Sequence, residues 1–385
     1  MTTAPLPSSV PARAEPPQTK PRDPARDHRA NSFDLIRLLA ATWVLIAHSS
    51  PLRGHEETSF LGYDNVSKIA VYIFFAISGY LITQSWVADP NPYRFSMRRA
   101  LRVFPGLICV VLLSVFVLGP VVTTLPVGKY FATRGTWGYL RNITLSVRYH
   151  LPGVFTENVG ETSVNGSLWT LPLEVMMYGG VLVLGRLRLL TWWVALLVAC
   201  GLAAGALLLG PTHPRYGLCD LGVYFWLGAV LYLARDHLPL RWPIGAALVV
   251  VAALCAYRPL FHVVAWVAIP YVVLLVSLTR LPGAGLTRKF GDFSYGIYIY
   301  AFPVQQVVVW RGGARLSAAQ NLLWVLFFTF MLAAASWHWI ESPALKLKPR
   351  RAREPVLRPQ AGTVPMVPPR ADARDARDPQ SGLHI

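Results

Sequence analysis

Charged side chains are scarce in this chain of 385 residues: Asp, Glu, Lys and Arg together make up 14% of it. Hydrophobic residues account for 54%. Because soluble domains carry about a quarter charged residues, this composition excludes an ordinary soluble protein. It is typical of a chain that lies mostly within a lipid bilayer, which we expect to be its principal partner.

Cysteine is also rare. The chain has four cysteines, which form no CxxC pair and show no spacing typical of metal ligands. We therefore interpret them as small core residues and expect no metal cofactor. They are Cys109, Cys200, Cys219 and Cys255.

Acidic residues are few. The chain has 19 Asp and Glu against 36 Lys and Arg, which gives a formal net charge of +17. A strongly basic domain can bind nucleic acid. Here, however, the basic residues are scattered among apolar runs and the two ends of the chain, and they form no stripe. We therefore expect no nucleic-acid partner.

The two ends of the chain lack apolar runs. Residues 1–30 are rich in Pro, Arg and Asp and contain no apolar core of a signal peptide. Residues 346–385 have the same polar character. Such segments cannot bury a hydrophobic core, so both are predicted to be disordered tails, the first of them basic. One membrane domain, residues 31–345, remains between them.

That domain contains apolar runs long enough to cross a bilayer, which takes about 20 helical residues. Lipid cannot satisfy an open backbone and no alternating strand pattern is present, so the runs are predicted to be helices. The predicted fold is all-α: a polytopic membrane protein with a bundle of about ten transmembrane helices. The predicted spans are 33–50, 68–87, 101–125, 168–186, 189–209, 219–235, 243–258, 261–279, 292–310 and 319–341.

Basic residues near the span ends predict the orientation. Most of them lie on the side that holds both tails, and fewer lie on the side of the long loop 126–167. Lys and Arg are enriched in cytoplasmic loops. We therefore predict that the N and C termini are cytoplasmic and that loop 126–167 faces outward.

Two ionisable residues lie within the first span. Arg37 is near its cytoplasmic end and His48 is near its outer end. At about 100° and 1.5 Å per residue, both side chains project from one helix face, about 16 Å apart. Ionisable residues inside a membrane span are functional candidates. The alternative is that Arg37 snorkels to the headgroups and His48 caps the helix.

Glu174 is interpreted as the only carboxylate well inside a span. It lies six residues into the predicted fourth helix, which places it at the same outer depth as His48. A carboxylate that pairs with an imidazole fixes the histidine tautomer, as a general base requires. We therefore predict that His48 and Glu174 are catalytic and lie together. The alternative for Glu174 is a buried hydrogen bond to Tyr or Trp.

Three arginines open the third span, in the sequence RFSMRRALRVFPG. Their spacing puts Arg98 and Arg102 on one helix face, with Arg99 adjacent. Guanidinium groups bind phosphates, which predicts a site for a cofactor with several phosphates that is reached from the cytoplasm. Arg37 would line its path. The alternative is that the three arginines only anchor the helix end.

Six blocks of the chain resemble, in family order, the acyltransferase-3 family of membrane O-acyltransferases that modify bacterial O-antigens, exopolysaccharides and Nod factors. The resemblance covers nearly the whole membrane region. The blocks are FDLIRLLAATWVLIAH, VYIFFAISGYLIT, MRRALRVFPG, SLWTLPLEVMMYG, FGDFSYGIYIYAFPVQ and SWHWIESPAL.

This resemblance implies a bacterial inner-membrane enzyme that transfers an acyl group, acetyl from acetyl-CoA, to a hydroxyl of a cell-surface or exported glycan. His48 matches the essential histidine of the family, and Arg37 matches the arginine that precedes it. Arg98 and Arg99 match the arginine pair linked to coenzyme binding. His48 would act as general base or would carry the acyl group itself.

The fourth helix carries a further block of the resemblance. Trp169 and Glu174 match its motif, and we take Asn165, Trp169 and Tyr178 as candidates for contact with the substrate. One position departs from the family pattern, because Ala301 stands where many members have a histidine. Any role of that histidine is absent or moved in this chain.

The acceptor is predicted to be a lipid-linked or nascent glycan that approaches from the outer face. The alternative function is a transporter or flippase, because a seam of Arg and His through a membrane also suits substrate passage. A matching pair of broken helices, which would favour the transporter, is not evident in the sequence. A third possibility is an inactive scaffold.

Overall fold

A computed structural model describes residues 32–56, 59–60 and 64–349. In this part of the chain the helices are α1 (Phe33–His48), α2 (Val66–Ala88), α3 (Pro92–Leu113), α4 (Val127–Ala132), α5 (Arg134–Gly138), α6 (Thr170–Arg186), α7 (Trp192–Leu209), α8 (Tyr216–Leu233), α9 (Trp242–Leu254), α10 (Leu260–Leu278), α11 (Ala284–Phe290), α12 (Ser294–Gly312) and α13 (Ala318–Ser336). The predicted tails lie outside the described residues, apart from residues 346–349.

Two helices continue through a π-helical turn. After α3 the chain runs through Ser114–Leu118 and Gly119–Val122, and after α13 through Trp337–Glu341 and Ser342–Lys346. Short 3₁₀ turns cover Pro51–Arg53, Tyr139–Thr144, Gly166–Trp169 and Gly313–Arg315. Two two-residue strands, β1 (Ser59–Phe60) and β2 (Asp64–Asn65), pair antiparallel.

The prediction of a polytopic helical membrane protein is confirmed. Among the described residues, eight helical segments are long and apolar enough to cross a membrane. The predicted seventh span corresponds to α9, which is apolar but only 13 residues long. The predicted ninth span corresponds to α12, which has 19 residues and is not one of these eight segments. The count of ten spans stays a prediction.

The third helix begins earlier than its apolar run predicts. Pro92 occupies the first turn, where its missing N–H costs no hydrogen bond. The Asn91 side chain caps this turn and accepts a hydrogen bond from the Arg94 backbone N–H at 2.9 Å. The arginine-rich segment 94–102 is therefore part of α3, and its side chains are held at helical spacing.

The helices alternate in direction, which gives the bundle two sides. We call the side where α1 begins, at Phe33, the tail side, and the side where α1 ends, at His48, the loop side. At the tail side, the Ser32 backbone N–H donates to the Ser277 carbonyl near the end of α10 at 2.7 Å. The long connection between α3 and α6 belongs to the loop side.

The end of this connection, residues 158–165, enters the bundle beside α12, and we call it the descending segment. The Gln306 side chain donates to the Ser163 carbonyl at 2.7 Å, and the Asn165 amide donates to the Ile299 carbonyl at 2.9 Å. Asn165 and Ser163 are fully buried. Irregular backbone is tolerated at this depth because protein groups satisfy its polar atoms. Helix α6 therefore begins inside the bundle instead of at its surface.

Candidate active site

At the tail side, Asp89 connects the end of α2 to the start of α3. Its carboxylate accepts hydrogen bonds from Arg94 Nε at 2.8 Å and from Arg98 Nη2 at 2.7 Å. A hydrogen bond from Arg94 lowers the pKa of Asp89 well below its usual value, and Arg98 adds to this effect against the cost of burial. Asp89 therefore offsets part of the charge of Arg98 and part of the charge of Arg94.

Asp292, just before α12, compensates two further arginines. Arg102 from α3 donates to Asp292 Oδ2, and Arg37 Nη1 from α1 lies 3.8 Å from the same oxygen. Ser294 also donates to this carboxylate through its backbone N–H at 3.2 Å. Three helices, α1, α3 and α12, are thus joined at one ionic junction.

Arg99 lies close enough to both junctions to interact with their arginines, and it has no such carboxylate partner in the described part of the chain. It interacts electrostatically with Arg37, Arg98 and Arg102, yet it forms no ion pair with a carboxylate in the described part of the chain. The Nε atoms of Arg37, Arg98 and Arg99 are buried and have no hydrogen-bond partner. We call Arg37, Arg98, Arg99 and Arg102 the arginine cluster. Its unpaired donors fit an anion with several oxygen atoms.

Lys348, beyond the last helical turn, adds a fifth positive charge to this region. Burial lowers the pKa of Lys348 to about 8, and the charges of Arg99, Arg102 and Arg98 contribute to the shift. The residue lies in the segment that was predicted to be a disordered tail. The structure therefore extends the cationic site beyond the four predicted arginines.

Glu174 lies in the interior of the bundle. It accepts a hydrogen bond from Ser78 Oγ at 3.2 Å and another from the Tyr178 hydroxyl one turn along α6. With Arg37, Thr170 and other residues of α2, α6 and α12 it lines a cavity of about 40 Å³. Such a cavity holds no more than a few water molecules.

His48 is the last residue of α1, on the loop side. Its Nδ1 lies 3.0 Å from the Val44 carbonyl, and its ring meets the Phe302 ring edge-on at 6.0 Å between centroids. A carbonyl oxygen only accepts, so Nδ1 is the donor, and in the neutral imidazole Nε2 then keeps its lone pair. The structure thus presents the tautomer that can accept a proton at Nε2.

The predicted pairing of His48 with Glu174 is wrong: the structure shows no contact between them, and each has other partners. Both His48 and Gly166 lie against Phe302, where a Cβ on Gly166 would come within 2.6 Å of the ring. Glu174 is eight residues further along, about 12 Å deeper in the bundle. The descending segment before α6 causes this difference in depth.

The sequence is similar to those of known acyltransferases. Residues 30–340 match the family described as acyltransferase domain. The chain is 30% identical over 332 residues to an O-acetyl transferase of Shigella phage Sf6, covering 82% of this chain and 96% of the relative. It is 28% identical over 372 residues to nodulation protein 10 of Rhizobium leguminosarum bv. viciae, covering 84% and 96%. No solved structure matches the chain.

The chain belongs to the acyltransferase-3 family. It is therefore a membrane acyltransferase, and an enzyme is favoured over the transporter and the scaffold. Ala301, the departure from the family pattern, is buried on α12 directly before Phe302. It packs in the apolar core between α1, α12 and α13.

The three predicted substrate contacts have structural partners in the acyltransferase. Asn165 uses its amide to bond the Ile299 carbonyl, and its side-chain oxygen accepts from the Ser167 backbone N–H at 3.1 Å. Trp169 lies against Gly217 at the start of α8, where a Cβ would come within 2.9 Å of the indole. Tyr178 donates to Glu174. Asn165 in particular has its polar atoms engaged by backbone, which indicates a role in shaping the descending segment.

Several acidic residues of the acyltransferase were not identified from the sequence. Asp220 is a second carboxylate inside a span; it is buried, and it accepts hydrogen bonds from Tyr72 at 2.9 Å and from Trp266 at 2.8 Å. The prediction that Glu174 is the only carboxylate well inside a span is therefore wrong. Glu341, in the second π-helical turn, is buried and accepts from Ser336 at 2.9 Å. Asp292 and Glu341 both lie in sequence blocks that resemble the family, and this resemblance could have identified them as candidate site residues.

Proposed function

We propose that this membrane acyltransferase transfers an acetyl group from acetyl-CoA to a hydroxyl of a cell-surface or exported glycan. The observation that carries the proposal is a site with two ends: the arginine cluster at the tail side and His48 at the loop side. Arg37 and His48 mark these two ends, and both lie on the single continuous helix α1.

The arginine cluster supports a donor that carries phosphates. Asp89 and Asp292 are shared by four arginines and offset only two of their charges, so the region stays positive, and Arg99 and Lys348 add to it. Three buried Nε donors have no partner and are available to phosphate oxygens. The diphosphate of coenzyme A has this chemistry. The chain would bind it through Arg98 and Arg99, with Arg37 and Arg102 held nearby by Asp292.

His48 supports acyl transfer to an alcohol by general-base catalysis. With Nδ1–H bonded to the Val44 carbonyl, His48 Nε2 would take the proton of the acceptor hydroxyl as its oxygen attacks the thioester carbonyl. The carbon–sulfur bond breaks, and the imidazolium returns the proton to the leaving thiolate. In this proposal the Val44 carbonyl holds the tautomer that was predicted to depend on Glu174.

Glu174 takes a positioning role instead. It connects α6 to Ser78 of α2 and faces the cavity that Arg37 also lines. The cavity lies between the depths of the arginine cluster and His48. At about 40 Å³ it is too small for the pantetheine arm of the donor, so we propose that α1 and α6 separate when acetyl-CoA binds.

The relatives and the sequence support the rest of the proposal. One relative bears the name O-acetyl transferase, which favours an oxygen acceptor and an acetyl group. The predominance of basic residues at the tail side supports cytoplasmic termini in the bacterial inner membrane, with the glycan acceptor outside. The donor would then be reached from the cytoplasm.

The proposal is tested by coenzyme A release in membranes that contain the full chain, with acetyl-CoA and surface glycan from the source bacterium. We expect release only when both substrates are present, and none from His48→Ala at equal protein abundance. His213→Ala is the matched control, because His213 is an exposed loop-side histidine. Wild-type release from His48→Ala would contradict the role of His48.

A further inference from the structure

A large apolar groove opens on the loop side of the bundle. It has a volume of about 820 Å³, which is within the range of ligand sites in proteins. Its walls come from the end of α3, the second half of α12 and the first part of α13. Residues on these walls include Val110, Val117, Val121, Val307, Val308 and Phe328.

The groove has the length of one leaflet. Along α3 its lining runs from Val110 to Val122, which corresponds to about 18 Å of helix. Half of a bilayer core is about 15 Å. One wall includes the π-helical turn Ser114–Leu118, a local irregularity that is frequent at functional sites. A single apolar chain from one leaflet fits these dimensions.

The rim of the groove is cationic and aromatic. Arg311, in the last turn of α12, and Arg315, just after it, are both exposed and both line the groove. Trp310 and Trp324 also line the groove, and indole rings favour the membrane interface. The rest of the lining is almost entirely apolar. This arrangement is complementary to a lipid that carries a phosphate.

A polar cavity adjoins the groove at Trp310, which lines both. It has a volume of about 410 Å³, and its walls carry Arg53, His55, Glu157 and Asn158. Such a combination of hydrogen-bonding side chains with one indole suits a sugar, because its hydroxyls need partners and its apolar face can stack. Arg53 lies five residues after His48 in the chain.

We propose that these two adjoining sites bind the acceptor as a sugar attached through a phosphate to a lipid. The apolar chain lies in the groove, the phosphate contacts Arg311 and Arg315, and the sugar occupies the polar cavity beside Trp310. This inference rests on the proposed function, since it names the acceptor class of the same enzyme. The polar cavity at the rim favours a sugar-bearing lipid over an ordinary bilayer phospholipid.

The test measures binding by native mass spectrometry of the full chain in detergent, without acetyl-CoA. The probe is hexadecyl glucosyl phosphate, and the comparison lipids are hexadecyl glucoside, hexadecyl phosphate and phosphatidylglycerol. We expect the probe to bind at least about tenfold more tightly than each comparison lipid, because each of these lacks one of the contacts.

Variants assign each part of the probe to its contacts. Arg311→Gln with Arg315→Gln should weaken the probe about tenfold and leave hexadecyl glucoside unchanged. Val307→Trp, which fills the groove, should weaken all single-chain lipids. The matched controls are Arg258→Gln, an exposed loop-side arginine, and Leu197→Trp, an exposed side chain on α7; both should bind as wild type.

Equal binding of phosphatidylglycerol and the probe would overturn the inference and make the groove a site for bilayer lipid. The inference would also be overturned if both variants, Val307→Trp and the double variant Arg311→Gln with Arg315→Gln, bound the probe as tightly as wild type. The proposed function fails separately: bound probe with no coenzyme A release contradicts the acyl transfer and leaves the lipid site standing. Acylation of a lipid-linked glycan with unaltered rate in Val307→Trp contradicts the lipid site alone.

Discussion

At the scale of single residues, the arginine cluster is defined by unequal compensation of charge. Arg37 and Arg102 share Asp292, and Arg98 shares Asp89 with Arg94. These pairs hold the helix ends in place, and each of the four arginines lies close to a carboxylate that offsets part of its charge. Arg99, which has no carboxylate partner in the described part of the chain, is therefore the arginine expected to interact most strongly with an anionic donor.

Arg99→Gln should raise the KM for acetyl-CoA by about tenfold or more and change kcat much less, because it removes a charge-assisted contact to the donor. The measurement is the initial rate of coenzyme A release over a range of acetyl-CoA concentrations. Arg94→Gln is the control, because Arg94 is more exposed and is committed to Asp89. An equal rise in both variants would show that charge in general, and not Arg99, sets the affinity.

Asp89 is expected to make stability depend on pH. Its pKa in the folded protein lies well below the usual value of 3.8, chiefly because of Arg94. The ion pairs therefore stabilise the fold fully above about pH 4, and the contribution is lost as the pH falls from there toward the lowered pKa. The Tm of the detergent-solubilised protein should be higher for wild type than for Asp89→Asn at pH 7. The difference should shrink below pH 4, and a constant difference would contradict the role given to ionised Asp89.

Individual site residues were predicted with uneven success. Arg37, Arg98, Arg99 and Arg102 do come together, because helical spacing and a common tail side fix their positions. The partners of these arginines were missed, since Asp89 and Asp292 lie at helix ends where a carboxylate is unremarkable in a sequence. The predicted pairing of His48 with Glu174 was wrong because the depth of Glu174 in the membrane was counted from the start of the fourth apolar run.

At the scale of helices, the tightest crossing joins α2 and α8. A Cβ on Gly79 would clash with the Phe225 carbonyl, and a Cβ on Gly228 would clash with the Ala76 carbonyl. The two backbones approach closely because these glycines have no side chain, as is common where membrane helices pack. This contact sits in the largest apolar core of the protein, with Phe75 and Trp226.

Gly79→Ala should therefore lower the free energy of unfolding by about 1–3 kcal/mol through overpacking. The measurement is thermal unfolding in detergent, read as a fall in Tm. Gly201→Ala is the control on α7, because nothing lies within 4 Å of a Cβ at that position. That variant should be neutral or gain up to about 1 kcal/mol from helix propensity. A loss in Gly201→Ala as large as in Gly79→Ala would contradict the packing explanation.

Most helices were predictable from the sequence because an apolar run of about 20 residues has few other stable structures in lipid. The predicted third span began at residue 101, nine residues after the first residue of α3. The difference arises because Pro92 and the arginines that follow it form an amphipathic segment and not an apolar run. The descending segment 158–165 was also missed. Its burial depends on hydrogen bonds to Gln306 and Ile299 of α12, which are distant in the chain.

At the scale of the whole molecule, the proposed chemistry takes place between two compartments. The arginine cluster lies at the tail side, His48 lies at the loop side, and the cavity between them is small. A donor held by the arginine cluster can reach His48 only if α1 and α6, which close the interior of the bundle, move apart. The polar cavity and the apolar groove, which we propose as the acceptor sites, are on the loop side with His48.

The most direct test of this two-sided arrangement uses the full chain in sealed vesicles of known orientation. Acetyl-CoA is supplied only at the tail side, and the glycan acceptor only at the loop side, and acylated glycan is measured in the loop-side compartment. The account predicts acylation in this arrangement and none when acetyl-CoA is restricted to the loop side. Acylation only when donor and acceptor are both on the loop side would contradict it.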